Sequence, residues 1–251
     1  MAMFVLEHAG TRPPVVCLHG FCQSSAYWAP TLDRVAARGV QALAPDLPGF
    51  AASASEPGPY TMSDLADAVV RMLDARRIDR VRLVGGSMGG VVAQQLVLRH
   101  PARVERLLLV ATGAVMGDPA AGRAKADAMA AAPWDDAAAV PIVDGFFHRR
   151  PDEGEIRRLR AIARSASHVA AVEAARSNAD SDTRDELSRI GVPTLIVQGR
   201  HDRARTPEHG AVLRDGIPGA ALEIIEDAGH TPQLEQPAAF HDIALPFLLR
   251  A

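Results

Sequence analysis

Residues 84–91 read Val-Gly-Gly-Ser-Met-Gly-Gly-Val, and they join two patterns that together indicate one kind of fold. An apolar run, Val81–Val84, leads into the segment and a helical pattern follows it. Gly85 and Gly89 flank Ser87 at positions where a side chain would collide with facing backbone. The segment therefore predicts a sharp strand-to-helix turn that exposes the Ser87 hydroxyl beside the helix N-terminus, where backbone N–H groups favour negative charge.

A glycine-rich phosphate-binding turn is the main alternative for this segment. A P-loop needs a lysine after its second glycine, but Val91 stands at that position. A dinucleotide-binding fingerprint is expected in the first βα unit of a chain, and this segment comes later. Both phosphate-binding alternatives fit poorly, so we favour a serine nucleophile.

Strand-like runs recur on both sides of this turn and alternate with helical patterns. Val, Ile and Leu dominate the runs, as they do in strands that are buried on both faces. This alternation predicts right-handed βαβ units, and therefore an α/β fold with a mostly parallel, doubly wound sheet. The runs are Val15–Leu18, Val40–Leu43, Val81–Val84, Val104–Val110, Thr194–Val197 and Leu222–Ile225.

The alternation stops between residues 113 and 189, where alanine is very frequent and no strand-like run appears. Helices are the regular structure that this composition favours. Prolines would divide the segment into about four pieces, because a helix tolerates proline in its first turn but not in its interior. These prolines are Pro119, Pro133, Pro141 and Pro151.

We predict from this break that residues 1–112 and 190–251 form one core and that residues 113–189 form a helical lid. An insertion that leaves and rejoins the sheet at this point should lie over the carboxyl ends of the strands, where open α/β sheets bind ligands. Its small side chains suit a mobile, adaptable cover.

A serine hydroxyl is a poor nucleophile unless a histidine takes its proton, and that histidine needs an orienting carboxylate. His230 follows the last predicted strand and Asp202 follows the strand before it. Both lie at the carboxyl ends of strands, at the same sheet edge as Ser87, so the three side chains can meet. Asp227 is a rival for the acid, but a close chain neighbour of His230 is badly angled for that role.

The negative charge that develops on an attacked carbonyl oxygen needs fixed donors, each worth about 3 kcal/mol when removed. We expect these donors to be the backbone amides of Met88, which follows the nucleophile, and of Phe21, in the loop after the first buried strand. His19 in that loop is expected to be a structural hydrogen-bonding group rather than a second base.

The wall of a substrate pocket is predicted from large or apolar side chains near these motifs, although several could equally be core residues. Cys22 could be a reactive thiol near the site, but we favour a small wall residue. The candidates are Cys22, Tyr27, Trp28, Met116, Trp134, Phe146 and Phe147.

Composition excludes several other classes of function. The 251 residues carry a formal net charge of −3, with Lys125 as the single lysine, so lysine-centred chemistry and polyanion binding are not expected. Two Trp, two Tyr and seven Phe are few for nucleic-acid recognition by stacking. Two cysteines make neither a disulfide framework nor a zinc site, and we expect no metal and no cofactor.

The first residues lack the positive and apolar regions of a secretion signal, and no apolar run reaches the ~20 residues of a membrane-spanning helix. We therefore expect a cytoplasmic protein, a monomer or homodimer, whose partner is a small-molecule substrate and neither nucleic acid nor a membrane.

Several motifs together resemble the α/β-hydrolase superfamily, in its small, cofactor-free, lidded serine esterase and lactonase branch. The resemblance spans about residues 4 to 250 and is weakest in the predicted lid. The matching segments are Leu18–Phe21, Asp46–Phe50, Gly85–Gly90, Gly199–Asp202 and Gly229–His230, and their chain order is that of the family.

The resemblance implies an α/β-hydrolase sheet with the lid inserted after the sixth strand. It also implies that Ser87 is the nucleophile, His230 the base and Asp202 the acid, with the Phe21 and Met88 amides as the oxyanion hole. A serine at position 87 argues against haloalkane dehalogenases and epoxide hydrolases, whose nucleophile is aspartate. Thr231 replaces the tryptophan expected in many hydrolases of ring-cleavage products, which disfavours that subclass.

These observations predict a serine hydrolase that cleaves an ester, lactone or thioester of a small, largely apolar acid through an acyl-enzyme on Ser87. One alternative uses the same three side chains for carbon–carbon bond hydrolysis or for a lyase or cyclase step, since an oxyanion hole also stabilises enolates. Another alternative is a ligand receptor that keeps the pocket without turnover.

Overall fold

A seven-stranded sheet runs through the computed structural model, which describes residues 3–250. The strands are β1 (Val5–His8), β2 (Thr11–Leu18), β3 (Val40–Pro45), β4 (Val81–Gly86), β5 (Val104–Val110), β6 (Thr194–Gly199) and β7 (Ala221–Ile225). Their spatial order is β1-β3-β2-β4-β5-β6-β7, and every pair is parallel except β1 with β3. The predicted α/β fold with a mostly parallel sheet is confirmed, and all six predicted runs lie in β2 to β7.

Helices connect the strands and cover the sheet. They are α1 (Ala29–Ala36), α2 (Met62–Ala75), α3 (Met88–Arg99), α4 (Pro119–Ala131), α5 (Asp136–Asp144), α6 (Glu153–Arg164), α7 (His168–Asp180), α8 (Pro207–Gly216), α9 (Pro232–Glu235) and α10 (Pro237–Leu249). Side-chain caps set several of their starts, as where Thr61 accepts a bond from the Asp64 amide at the start of α2. Within residues 3–250, no helix combines the length and the apolar character needed to cross a membrane.

Both faces of the sheet are buried, because side chains alternate between two apolar layers along each strand. On β2, Val16 and Leu18 pack in the layer that contains α2 and α3. Val15 and Cys17 pack in the opposite layer with α1 and α10. Full burial of each such aliphatic side chain is worth about 1.5–3 kcal/mol, so the doubly wound arrangement holds the strand ends firmly.

Helices α4 to α7 lie between β5 and β6, so the predicted position after the sixth strand is wrong. The insertion follows the fifth strand, because β1 is the single described strand that precedes β2. Pro141 also differs from expectation, since it lies inside α5 and does not divide the segment. Proline has no N–H, so the Ala137 carbonyl, four residues earlier, lacks its helical hydrogen bond. Ala137 is exposed in the first turn of α5, where water can bind this carbonyl instead.

The two ends of this helical segment leave the core side by side. Val115 and Asp182 form an isolated antiparallel bridge, and the Thr183 amide donates to the Ala114 carbonyl at 2.9 Å. The buried side chain of Gln94 accepts a bond from the Thr183 hydroxyl at 2.7 Å and donates to the Gly113 carbonyl at 3.2 Å. The segment therefore starts and ends on α3, the helix that follows Ser87.

Candidate active site

Ser87 occupies a strained turn between β4 and α3. Its backbone angles, φ 51° and ψ −119°, lie in a region that costs an L-residue about 1–3 kcal/mol. The Ser87 amide donates to the Val110 carbonyl at 2.9 Å, and the Thr112 hydroxyl donates to the Ser87 carbonyl at 2.8 Å. Bonds from the neighbouring strand end therefore hold the strained residue in place.

The flanking glycines are required because the chain passes through this turn at very close range. A Cβ at Gly85 would lie 2.7 Å from the Gly90 Cα, and one at Gly89 would collide with the carbonyl groups of Leu18 and His19. The second contact brings the end of β2 against the first turn of α3, next to Ser87.

Three side chains from separate loops form a continuous hydrogen-bonded chain. Ser87 Oγ lies 2.8 Å from His230 Nε2, and His230 Nδ1 lies 2.7 Å from Asp202 Oδ2. The other oxygen of Asp202 accepts the amides of Ala204 and Arg205 at 2.8 and 2.9 Å. Because a carboxylate can only accept, it keeps the proton on Nδ1 and leaves Nε2 free to accept from the serine.

Arg205 lies next to the Asp202 carboxylate and is 4% exposed. Burial lowers the pKa of its guanidinium, and the charge of Asp202 opposes that shift. The guanidinium also donates to the Val115 carbonyl at 3.0 Å, at the start of the helical segment. The loop that carries Asp202 is therefore fixed to the point where that segment leaves the sheet.

Asp227, the rival acid, does not reach His230 through a hydrogen bond. Its carboxylate lies on the surface, 2.8 Å from the Arg149 guanidinium and 3.0 Å from the Gln236 side-chain amide. The structure thus brings Asp202 and not Asp227 to the imidazole.

The two predicted oxyanion donors both have free N–H groups. Among the described residues, neither the Phe21 amide nor the Met88 amide donates a hydrogen bond. The turn that contains Phe21 is shaped by Gln23, whose Oε1 accepts the Gly20 amide at 2.9 Å. A Cβ at Gly20 would lie 3.1 Å from the Ser87 Cβ, so this turn lies directly beside the serine.

His19 is fully buried and both of its ring nitrogens are occupied. Nδ1 donates to the Gly20 carbonyl at 2.8 Å, and Nε2 accepts the Leu47 amide at 2.9 Å. Burial lowers the pKa of the imidazole, which fits the neutral form that these bonds require. The residue fixes the turn that contains Phe21 and has no nitrogen left for a proton transfer.

Three of the predicted wall residues are core residues in the structure. Cys22 is fully buried, and burial raises the pKa of its thiol, so the reactive thiolate is disfavoured. Tyr27 is also fully buried in the same apolar layer. Trp28 packs against Phe240 of α10, with ring centroids 6.3 Å apart, in the opposite layer. Trp28 is therefore buried between the sheet and α10.

The remaining wall candidates lie in the helical segment. The Phe146 ring packs against the His230 ring at a centroid distance of 5.5 Å, so it is the candidate that contacts the hydrogen-bonded chain. Trp134 stacks on His168, and its Nε1 donates to the Ala166 carbonyl at 2.8 Å. Phe147 packs on the core, and Met116 lies against α4.

Sequence reasoning missed the backbone role of the loop at residues 145–152, which joins α5 to α6 and which we call the 145–152 loop. The His230 amide donates to the Phe146 carbonyl at 2.8 Å. His148 stacks on His201 with ring centroids 3.8 Å apart. No motif marks these contacts, because backbone bonds between segments more than 80 residues apart leave no pattern in the sequence. Within residues 3–250, no three His, Cys, Asp or Glu side chains cluster as metal ligands.

Comparison with known proteins identifies the family. The alpha/beta hydrolase family matches residues 15–243. A 3-oxoadipate enol-lactonase 2 from Acinetobacter baylyi is 30% identical over 203 residues, which cover 78% of this chain and 74% of that protein. A pimeloyl-[acyl-carrier protein] methyl ester esterase from Aeromonas hydrophila is 30% identical and covers 97% of this chain and 98% of its own. The structure of the enol-lactonase from Burkholderia xenovorans superposes with a TM-score of 0.89 at 27% identity, over 99% of this chain and 97% of that one. The chain belongs to the alpha/beta hydrolase family.

Proposed function

We propose that this protein is a serine hydrolase that cleaves an ester, lactone or thioester of a small, largely apolar acid. The proposal depends above all on the hydrogen bonds that connect Asp202 to His230, at 2.7 Å, and His230 to Ser87, at 2.8 Å. Two backbone amides that donate no hydrogen bond lie beside these side chains. Nucleophile, base, orienting acid and oxyanion donors are the groups that acyl transfer needs.

The chemistry follows from this arrangement. Ser87 Oγ attacks the substrate carbonyl carbon while its proton passes to His230 Nε2, and the C–O or C–S bond to the leaving group then breaks as that group takes the proton. The result is an acyl-enzyme on Ser87. His230 takes a proton from water, which attacks the ester carbon; the bond to Ser87 Oγ then breaks, the serine oxygen takes the proton from His230, and the acid is released. Asp202 stabilises the imidazolium that forms in both halves of the reaction.

Charge on the carbonyl oxygen is stabilised by donors that are already in position. The free amides of Phe21 and Met88 lie on either side of Ser87, in the turn after β2 and in the first turn of α3. Because neither amide must break a bond to act, each can contribute about 3 kcal/mol to the transition state.

The substrate class is supported by the surroundings of the serine and by the relatives. The Phe146 ring packs on the His230 imidazole, and Phe21, whose ring packs on Phe50, belongs to the turn beside Ser87; these apolar side chains suit an apolar acyl group. The similar proteins named above act, by their names, on an enol-lactone and on a methyl ester. We also propose that residues 113–189 act as the lid of the core formed by residues 1–112 and 190–251.

Turnover of a panel of short-chain esters, lactones and thioesters tests the proposal. We expect wild-type turnover and a loss of at least about 10³-fold in Ser87→Ala, because the nucleophile and its base act as a unit. Ser63→Ala is the matched control, since the Ser63 hydroxyl contacts Thr61 on the surface. Intact mass during turnover should reveal the acyl group on wild type and not on Ser87→Ala.

Three results would contradict the proposal. Retention of the wild-type rate in Ser87→Ala would exclude the serine as nucleophile. Turnover without any acyl-enzyme would favour the carbon–carbon or lyase chemistry. A fluorophosphonate probe that fails to label Ser87 in a folded, inactive wild type would favour a receptor.

A further inference from the structure

The side chain of Glu235 lies at the end of α9, five residues after His230, and its two oxygens face different parts of the chain. Oε1 accepts the amides of Gly229 and Thr231 at 3.0 and 3.2 Å, and it also accepts the Thr231 hydroxyl at 3.2 Å. One carboxylate oxygen therefore binds the residues on both sides of His230.

The other oxygen binds the helical segment. Oε2 accepts the amide of His148 at 2.7 Å and that of Arg149 at 3.4 Å, both in the 145–152 loop. Gly229 permits this approach, because a Cβ there would lie 2.6 Å from the His148 amide nitrogen. Glu235 thus connects the histidine loop to the 145–152 loop through a single carboxylate.

We propose that Glu235 is a positioning residue that sets the orientation of His230 by fixing its loop to the 145–152 loop. This inference rests on the function proposed above, because it assigns a further residue to the same site. Glu235 does not contact the reacting atoms and acts through the backbone on either side of the imidazole.

Two further contacts make the position of His230 depend on this connection. The His230 amide donates to the Phe146 carbonyl at 2.8 Å, and the Phe146 ring packs on the imidazole. A displacement of the 145–152 loop would therefore move both the backbone and the ring of His230. The outer contact between Arg149 and Asp227 is solvent-exposed and is expected to contribute little to this connection.

The contacts require a carboxylate and not merely a polar side chain. Five N–H or O–H groups point at the two oxygens of Glu235, and a carboxylate offers acceptor sites on both. In Glu235→Gln, one oxygen becomes an NH₂ group, which must face either the 145–152 loop or the histidine loop. Whichever way the amide turns, at least two donors lose their acceptor.

Kinetics and NMR of the His230 Nδ1 proton on the full-length protein test the proposal, with Glu235→Gln and Glu235→Ala compared to Glu226→Gln. Glu226 also lies close to His230 in the sequence, four residues before it, but its carboxylate pairs with Arg200 on the surface. For the Glu235 variants we expect kcat to fall about 10- to 100-fold with KM nearly unchanged, because small displacements of a catalytic group reduce the rate without weakening substrate binding. Glu226→Gln should keep wild-type values.

The proton that His230 Nδ1 donates to Asp202, followed by NMR, separates positioning from folding. A displaced imidazole bonds less well to Asp202, so the downfield resonance of this proton should move upfield or broaden in Glu235→Gln relative to wild type and to Glu226→Gln. A purely structural role would lower the melting temperature and leave both the kcat per active site and this resonance at wild-type values. That result would overturn the proposal.

The two proposals fail in different ways. If wild type hydrolyses no ester, lactone or thioester, the proposed function fails, while the resonance of the His230 Nδ1 proton still reports whether Glu235 orients the imidazole. If wild type is active but both Glu235 variants match Glu226→Gln in kcat and in this resonance, the positioning role alone fails.

Discussion

The sheet and the helical segment at residues 113–189 are held together by different means. Helix α3, which packs on the sheet behind Ser87, is buried over nearly its whole length, with Val91, Val92 and Leu96 in the core. In α4 the one buried residue is Ala126, and in α5 the buried residues are Ala139 and Val143. Branched aliphatic side chains fix the first region, whereas α4 and α5 bury few side chains, most of them alanine.

This difference separates the fixed side chains of the proposed active site from the helical segment that we propose as its lid. Ser87 and Asp202 follow the ends of the buried strands β4 and β6, so the packing of the core fixes their positions. The helical segment is tied to the core at a few bonds, such as the Ser167 amide to the Gly49 carbonyl at 2.8 Å and the Met62 amide to the Ser177 hydroxyl at 3.0 Å. His230 belongs to both regions, because its backbone bonds to Phe146 in the segment.

The largest expected loss of activity concerns Asp202, the proposed acid, which follows β6 of the sheet. Asp202→Asn should lower kcat by about 10³- to 10⁴-fold, because an amide can stabilise the wrong imidazole tautomer and cannot stabilise the imidazolium. Steady-state kinetics measures the loss, and the melting temperature reports whether the fold is kept. Asp227→Asn is the control, since that carboxylate lies on the surface beside Arg149.

Equal losses in Asp202→Asn and Asp227→Asn would contradict the assignment of the acid. They would mean that the connection between the 145–152 loop and Asp227 matters as much as the carboxylate behind the imidazole.

The same substitution in the two regions compares their packing directly. Leu83 in β4 and Leu159 in α6 are both fully buried. Leu→Ala in a core costs about 2–5 kcal/mol, depending on how far the site can collapse around the cavity. We expect Leu83→Ala to lie at the upper end of that range and Leu159→Ala at the lower end, because helices rich in alanine can move together.

Urea unfolding of both variants measures the two costs. An equal or larger cost for Leu159→Ala would mean that the segment is as rigid as the sheet. Protection of α4 amides from hydrogen exchange at the level of β4 amides would likewise contradict the predicted mobile cover.

The strands and the Ser87 turn could be predicted from the sequence because each is coded by local pattern. Buried parallel strands read as continuous apolar runs, and the glycines beside Ser87 mark backbone contacts that exclude a side chain. The meeting of Ser87, His230 and Asp202 followed from one topological rule, since all three lie after parallel strands.

Other features depend on contacts that leave no local pattern. The short strand β1 is an antiparallel edge strand with one exposed residue, Glu7, so its apolar signal is weak. Pro141 is tolerated in α5 because the Ala137 carbonyl, which it leaves without a partner, belongs to an exposed residue, and this exposure cannot be read from the neighbouring sequence. Glu235 receives five bonds from segments up to 87 residues away, and nothing in its own neighbourhood distinguishes it from a surface glutamate.

The smallest expected effect concerns the polar contacts that support the 145–152 loop from within the helical segment. Asp144, the last residue of α5, accepts bonds from Arg160 at 2.7 Å and Arg150 at 2.9 Å, and these guanidinium groups lower its pKa. A carboxyl whose pKa is lowered on folding stabilises the protein above its unfolded pKa of about 3.9, and this contribution is lost as the pH falls through the lower folded value. Because the groups are partly exposed, Asp144→Asn should cost less than about 1 kcal/mol at pH 7.

The free energy of unfolding of wild type and Asp144→Asn, measured from pH 7 down to pH 3, checks this sign. The difference between the two proteins should be constant near neutral pH, shrink as the pH approaches the folded pKa of Asp144, and also shrink in 1 M salt. Asp136→Asn, in the first turn of the same helix, is the control, because that side chain is fully exposed and 3.8 Å from Arg164. If the difference in the free energy of unfolding instead grows as the pH falls, Asp144 stabilises the protein in its protonated form. The ion pairs of Asp144 would then not contribute to the stability of the helical segment.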